Sequence, residues 1–137
     1  VNTLEALALQ VCGFYSDNYL FCPMLDARRM EVYCALFDRN LKNVEPTQAK
    51  IMDADSFKEI LAKQPIVFFG DGAAKCEAVF ETNSNAVFPK TFVYPSAKTV
   101  GQLATVLFEN QGFEDVVTFE PYYLKDFITT TPKKRVL

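Results

Sequence analysis

Hydrophobic and polar positions fall in blocks along the chain, and the period changes from block to block. Between residues 3 and 15, Leu4, Leu7, Ala8 and Val11, then Phe14 or Tyr15, recur at three- and four-residue intervals. That spacing lays one stripe along an α-helix. Asn2 stands where a cap is needed, and Glu5, three positions on, completes a capping-box pattern. After a turn at Ser16-Asp17-Asn18 the helical period ends.

Residues 22–38 hold two apolar runs, 22–27 and 32–37, around a charged link, Arg28-Arg29-Met30-Glu31. Short runs rich in Val, Tyr, Phe and Leu predict strands, and their close spacing predicts an antiparallel hairpin. Few charges interrupt either run, so both strands are expected to be covered on both faces. A polar turn at 39–43 leads to a third run, 44–52, in which Pro46 marks an edge strand. A helix is expected over 54–63, capped by Asp53, with Phe57, Ile60 and Leu61 facing inward. The continuous apolar run 65–69 predicts a buried parallel strand, and it stops at Gly70-Asp71-Gly72-Ala73. A helix should follow, with Ala73, Cys76, Val79 and Phe80 on one face. After a loop at 83–85 comes a short strand, 86–88, and Pro89 and Pro95 bracket an irregular passage. Ser96 caps a helix with Val100, Leu103, Ala104, Leu107 and Phe108 at helical spacing, and Gly112 ends it. Residues 116–128 are too proline-marked and aromatic for a helix and should lie extended over another surface. The last residues, 129–135, are polar and basic.

Three consecutive antiparallel strands followed by two α/β crossovers predict a five-stranded mixed sheet with helices on both faces. This α/β order is similar to the ribonuclease-H-like lobe of the actin/hexokinase/Hsp70 (ASKHA) superfamily. Composition agrees: 137 residues, 50% hydrophobic and 14% aromatic, suffice for one domain with a full core. A net charge of −3 argues against nucleic-acid binding driven by charge alone. Uncharged stretches break well short of the roughly 18–20 residues that a membrane span needs. Cys12, Cys22, Cys34 and Cys76 form no C-x-x-C pair and each lies in an apolar run, as small buried hydrophobes do. A reducing cytoplasm is the expected compartment. Histidine is absent, which removes Ser-His-Asp and Cys-His catalysis and His-ligated metals.

Carboxylates, lysines, tyrosines and backbone amides remain for chemistry. Gly70-Asp71-Gly72 at a strand-to-helix turn could let a ligand approach the backbone, but no P-loop lysine or G-x-G-x-x-G accompanies it. A turn that only packs the helix on the sheet explains the same residues. Asp26, Arg28, Arg29 and Glu31 could form an acid/base or phosphate cluster, or merely make a hairpin turn soluble. Lys133, Lys134 and Arg135 could touch a phosphate backbone or serve solubility. Tyr122, Tyr123, Leu124 and Phe127 are large apolar groups in a tail and point to docking.

Residues 24–33, Met-Leu-Asp-Ala-Arg-Arg-Met-Glu-Val-Tyr, resemble the D-A-R-x-x-E-V-Y segment of the TsaB (YeaZ) family. Three further segments match in order: 2–8 (Asn-Thr-Leu-Glu-Ala-Leu-Ala), 69–73 (Phe-Gly-Asp-Gly-Ala) and 121–126 (Pro-Tyr-Tyr-Leu-Lys-Asp). The match is most like the members found in Bacteroidetes. The resemblance implies a non-catalytic scaffold and dimerisation subunit of bacterial tRNA threonylcarbamoyladenosine synthesis, with no cofactor and no metal. Its implied partners are the threonylcarbamoyl transferase subunit and the associated ATPase subunit, with a homodimer as a further expectation and tRNA reached only indirectly. It also implies that residues 1–137 form the C-terminal lobe of a two-lobed protein, with 113–137 as a docking tail. The absent N-terminal lobe would carry the transferase contact. Asp26 then stands where the superfamily has its second phosphate-binding aspartate, and Gly70, Asp71 and Gly72 stand at the adenosine loop, in a family held to be degenerate in nucleotide use. Arg28, Arg29, Glu31, Tyr122, Tyr123, Leu124 and Phe127 become interface candidates. An ATP-binding or ATP-hydrolysing lobe using Asp26 and the glycine turn is the alternative. A peptidase, which the family's glycoprotease label would imply, lacks its metal-binding histidines here.

Overall fold

A computed structural model describes residues 1–125. Five strands form one mixed sheet: β1 (Leu20–Asp26), β2 (Glu31–Phe37), β3 (Asn43–Ile51), β4 (Ile66–Phe69) and β5 (Ala86–Val87). Their spatial order is β3-β2-β1-β4-β5. The β1–β2 and β2–β3 pairs are antiparallel, and β1–β4 and β4–β5 are parallel. This is the ribonuclease-H-like α/β arrangement that the order of elements predicts.

Period-two alternation sends neighbouring side chains of the central strands to opposite faces, and both faces are dry. On one side Leu20, Cys22, Met24, Val32, Cys34, Leu36, Ile66 and Phe68 meet Phe57, Leu61, Cys76 and Phe80. On the other, Phe21, Ala35, Phe37, Val67 and Phe69 meet Leu4, Leu7, Ala8 and Val11 of α1 (Thr3–Val11). Phe68 is the aromatic hub, with ring centroids 4.9 Å from Phe80 and 5.1 Å from Phe88, both stacked. All four cysteines are buried, and burial pushes the Cys22 and Cys76 thiols up, which keeps them protonated.

The ends of α1 follow the capping residue. Asn2 Oδ1 accepts from the Leu4 and Glu5 amides at 2.8 and 3.4 Å. Among the described residues no bond returns from the Glu5 carboxylate, so the cap is one-sided. A 3-10 turn, Cys12–Phe14, closes the helix, and Tyr15 rather than exposed Phe14 joins the core. At the sheet edge, β3 is bulged opposite Cys34–Leu36, and Pro46 falls in the bulge, where its missing amide leaves no gap in the ladder.

Two predicted helices change form. The expected helix over 54–63 shrinks to α2 (Lys58–Leu61), preceded by turns and by Phe57 at φ 57°. Asp53 does cap, but it caps a turn: its Oδ1 accepts from the Ser56 hydroxyl at 2.8 Å and the Asp55 amide at 3.2 Å. Those local bonds compete with the helical ladder and win. The helix expected after Gly72 is a 3-10 helix, Ala74–Phe80. The spacing of Ala73, Cys76 and Val79 is three residues, the period of a 3-10 turn.

The last helix, α3 (Ala97–Glu109), starts on Ser96 as expected, with its hydroxyl accepting from the Lys98 amide at 3.3 Å. Its end is a Schellman motif: the Gly112 amide donates to Leu107 O at 2.8 Å and the Gln111 amide to Phe108 O at 3.0 Å. Gln111, not Gly112, takes the left-handed conformation, at φ 56°. The helix packs on α1, yet only Thr99 of its residues is buried. Residues 113–125 are mostly exposed, with one turn closed by Asp115, and they reach the end of the sheet beside the start of α1. Among the described residues, no helix is long and apolar enough to cross a membrane.

Candidate functional site

The chain builds β1, β2 and β3 on one side of the sheet and then crosses to add β4 and β5 beside β1. The C-terminal ends of β1 and β4 therefore meet at the point where the winding reverses, the customary ligand position in an open α/β sheet. Asp26 ends β1, and Gly70-Asp71-Gly72 follows β4. The fold thus brings together the four residues that the sequence singles out as nucleotide-facing.

They spend their polar groups on each other. The Asp26 amide donates to Asp71 Oδ1 at 3.0 Å, and the Gly72 amide donates to Met24 O at 3.1 Å. Gly70 sits at φ 102°, and a Cβ there would lie 2.3 Å from Met24 O. A Cβ on Gly72 would lie 3.0 Å from the Leu25 carbonyl carbon. Both glycines are required because the loop crosses directly over the β1 backbone. This is the packing-turn explanation of the motif, realised in detail.

The Asp26 carboxylate has a partner that the sequence pattern does not reveal. Lys75, in the first turn of the Ala74–Phe80 helix, forms an ion pair with Asp26 Oδ1 and donates to the Glu31 carbonyl oxygen at 2.7 Å. The same Asp26 oxygen accepts from the Arg28 amide at 2.9 Å. The Lys75 hydrogen bond, and after it the Arg28 amide, hold the Asp26 carboxyl below its ordinary range. The one signal in the sequence is a single lysine in a run, 73–80, that is otherwise small and apolar except for Glu77.

Glu31 is half-buried, and its carboxylate pairs with Lys125 of the tail, whose ammonium also lies 5.8 Å from the Tyr33 ring centroid. Asp26 and Glu31 thus face two different lysines. Arg28 and Arg29 form the exposed hairpin link at φ 75° and 49°, both left-handed. Tyr122 and Tyr123 are exposed and Leu124 is half-buried, all beside the groove between the tail and the sheet. Phe127 lies outside the described residues, as do Lys133, Lys134 and Arg135. Among the described residues, no group of three or more Cys, Asp and Glu is placed to hold a metal ion.

The fold is ribonuclease-H-like, and at its switch point Asp26 Oδ1 is taken by Lys75 and the Arg28 amide while the Asp26 side chain stays exposed. Comparison with solved structures finds the same fold in an uncharacterized protein with similarity to peptidase YeaZ from Pseudomonas aeruginosa. The TM-score is 0.71 over 91% of this chain, at 16% sequence identity, a likeness of fold. This chain spans 57% of that neighbour's length. Scans against protein-family models and against curated proteins find no match.

Proposed function

We propose that the chain is the C-terminal lobe of a non-catalytic scaffold subunit in tRNA threonylcarbamoyladenosine synthesis. In this reading it supports the subunit that transfers threonylcarbamoyl to adenosine, in a complex that includes an ATPase subunit, in the cytoplasm. The observation that carries the reading is the fold likeness to a YeaZ-like protein over 91% of the chain. The D-A-R-x-x-E-V-Y segment supports it, since those residues form the hairpin that ends at Asp26 and restarts at Glu31. The Lys75–Asp26 ion pair supports the non-catalytic part, because one oxygen of the carboxylate a cation would meet already takes an ammonium.

The test is a reconstituted transfer assay on tRNA with calorimetry on the transferase. The two-lobed protein is expected to bind the transferase and support the reaction, and this chain alone to bind about tenfold more weakly or worse. Equal binding by this chain alone would overturn the division of labour between lobes. Catalysis retained by this chain and lost on Asp26→Ala would overturn the scaffold role.

A further inference from the structure

Beyond α3, residues 113–125 have little hold on the body of the molecule. Only Leu124 among them is half-buried, and the rest are exposed. Their backbone bonds are local: the Thr118 and Phe119 amides donate to Asp115 O at 3.1 and 2.8 Å, and the Val117 amide to Asp115 Oδ1 at 2.9 Å. At the near end the segment leaves the left-handed turn at Gln111, where the Phe113 ring meets Phe108 edge-on at 5.6 Å. At the far end Lys125 pairs with Glu31 and stands over the Tyr33 ring. Among the described residues, that ammonium makes the one hydrogen bond from 113–125 to the sheet. Between the two ends the segment spans a groove of about 660 Å³, with half-buried Leu25 and Tyr33 in its floor.

The segment is therefore fixed by a turn at one end and by a latch at the other. The latch is weak. Lys125 and Glu31 keep 41% and 23% of their side-chain surface exposed, and an ion pair so open to water shifts an equilibrium by about fivefold at most. The Tyr33 ring adds a factor of about the same size. Segments held by so few contacts open at low free energy, and a pair in water is screened by salt. We infer that residues 113–125 are a salt-sensitive strap, closed over the end of the β1–β2 hairpin by Lys125 on Glu31 and the Tyr33 face. Its release bares Leu25 and Tyr33, so whatever takes either charge of the latch also uncovers the floor.

The test is NMR on the isotope-labelled chain with an uncharged, soluble gadolinium chelate, whose relaxation enhancement reports how open each site lies to water. Raising NaCl from about 20 to about 500 mM should increase the enhancement at Leu25 and Tyr33 and lower the heteronuclear NOE of residues 119–124, with β4 unchanged. At low salt, Glu31→Gln and Lys125→Gln should each do the same, cutting the closed-to-open ratio about fivefold. Lys125→Arg should keep the strap shut. The double variant Glu31→Gln/Lys125→Gln should open it no further than Lys125→Gln alone, because the pair is lost only once. Asp17→Asn, which breaks the exposed Arg39–Asp17 pair, is the control and should change neither site. A strap that stays shut in salt and in both single variants overturns the proposal. An equal response in the control overturns it, as does further opening in the double variant. Should Glu31→Gln fail to fold, Lys125→Gln, at an exposed position, decides alone.

Discussion

At the scale of single residues, the glycines separate cleanly by what surrounds them. Gly70 combines a left-handed φ of 102° with a backbone oxygen 2.3 Å from where a methyl group would sit, so Gly70→Ala should cost at least about 2 kcal/mol. Gly101 lies inside α3 with nothing within 4 Å, so Gly101→Ala should stabilise by about 0.5–1 kcal/mol. Urea denaturation of the pair checks both signs. Asp26 sets a pH dependence: its native pKa lies below the ordinary 3.8, so between the two values the unfolded chain binds more protons. Its stabilising contribution is complete above about pH 4 and is lost as the pH falls through the lowered native value. Asp26→Asn should therefore be less stable than the parent at pH 7, with the difference closing in acid; a constant difference across that range would sever the link to Lys75.

At the scale of elements, α3 stands apart from the sheet. β1 and β2 are buried on both faces, whereas α3 buries only Thr99, although its sequence carries the clearest helical spacing of apolar residues. Local opening should cost far less there than in the central strands. Native-state hydrogen exchange should show α3 amides exchanging well before those of β1 and β2, and equal protection would make α3 part of the same cooperative unit. The two helices that periodicity mispredicts differ in cause. At 53–57, side-chain bonds of Asp53 and Ser56 outbid the helix, and at 74–80 the three-residue spacing of Ala73, Cys76 and Val79 suits a 3-10 turn.

At the scale of the whole molecule, the five-stranded order puts Asp26 and the Gly70–Gly72 turn at the winding reversal, and Lys75 then fills the space between them and Glu31. With Asp26 Oδ1 already paired with Lys75, the chain is expected to gain no stability from nucleotide. A thermal scan with and without millimolar MgATP is expected to show no change in Tm; a rise would favour the ATP-binding alternative. The tail, expected as a docking element, bends back on its own sheet by residue 125 through Lys125 and Glu31, and this return roofs a groove beside the start of α1.

By itself the sequence determined the five strands and their antiparallel-then-crossover succession, the dry central hairpin, the edge position of β3 and the caps on Asn2 and Ser96. These follow from local facts: the period of the apolar positions, a proline's missing amide, a side chain that can bond an orphan N–H. Only the tertiary structure decided that Lys75 belongs to Asp26 and Lys125 to Glu31, partners 49 and 94 residues apart. It also decided that the two glycines serve the close crossing over β1. Charge pairing and backbone contact between distant segments leave no periodic trace, because any lysine or glycine at those positions reads the same until the sheet brings its partner within a few ångströms.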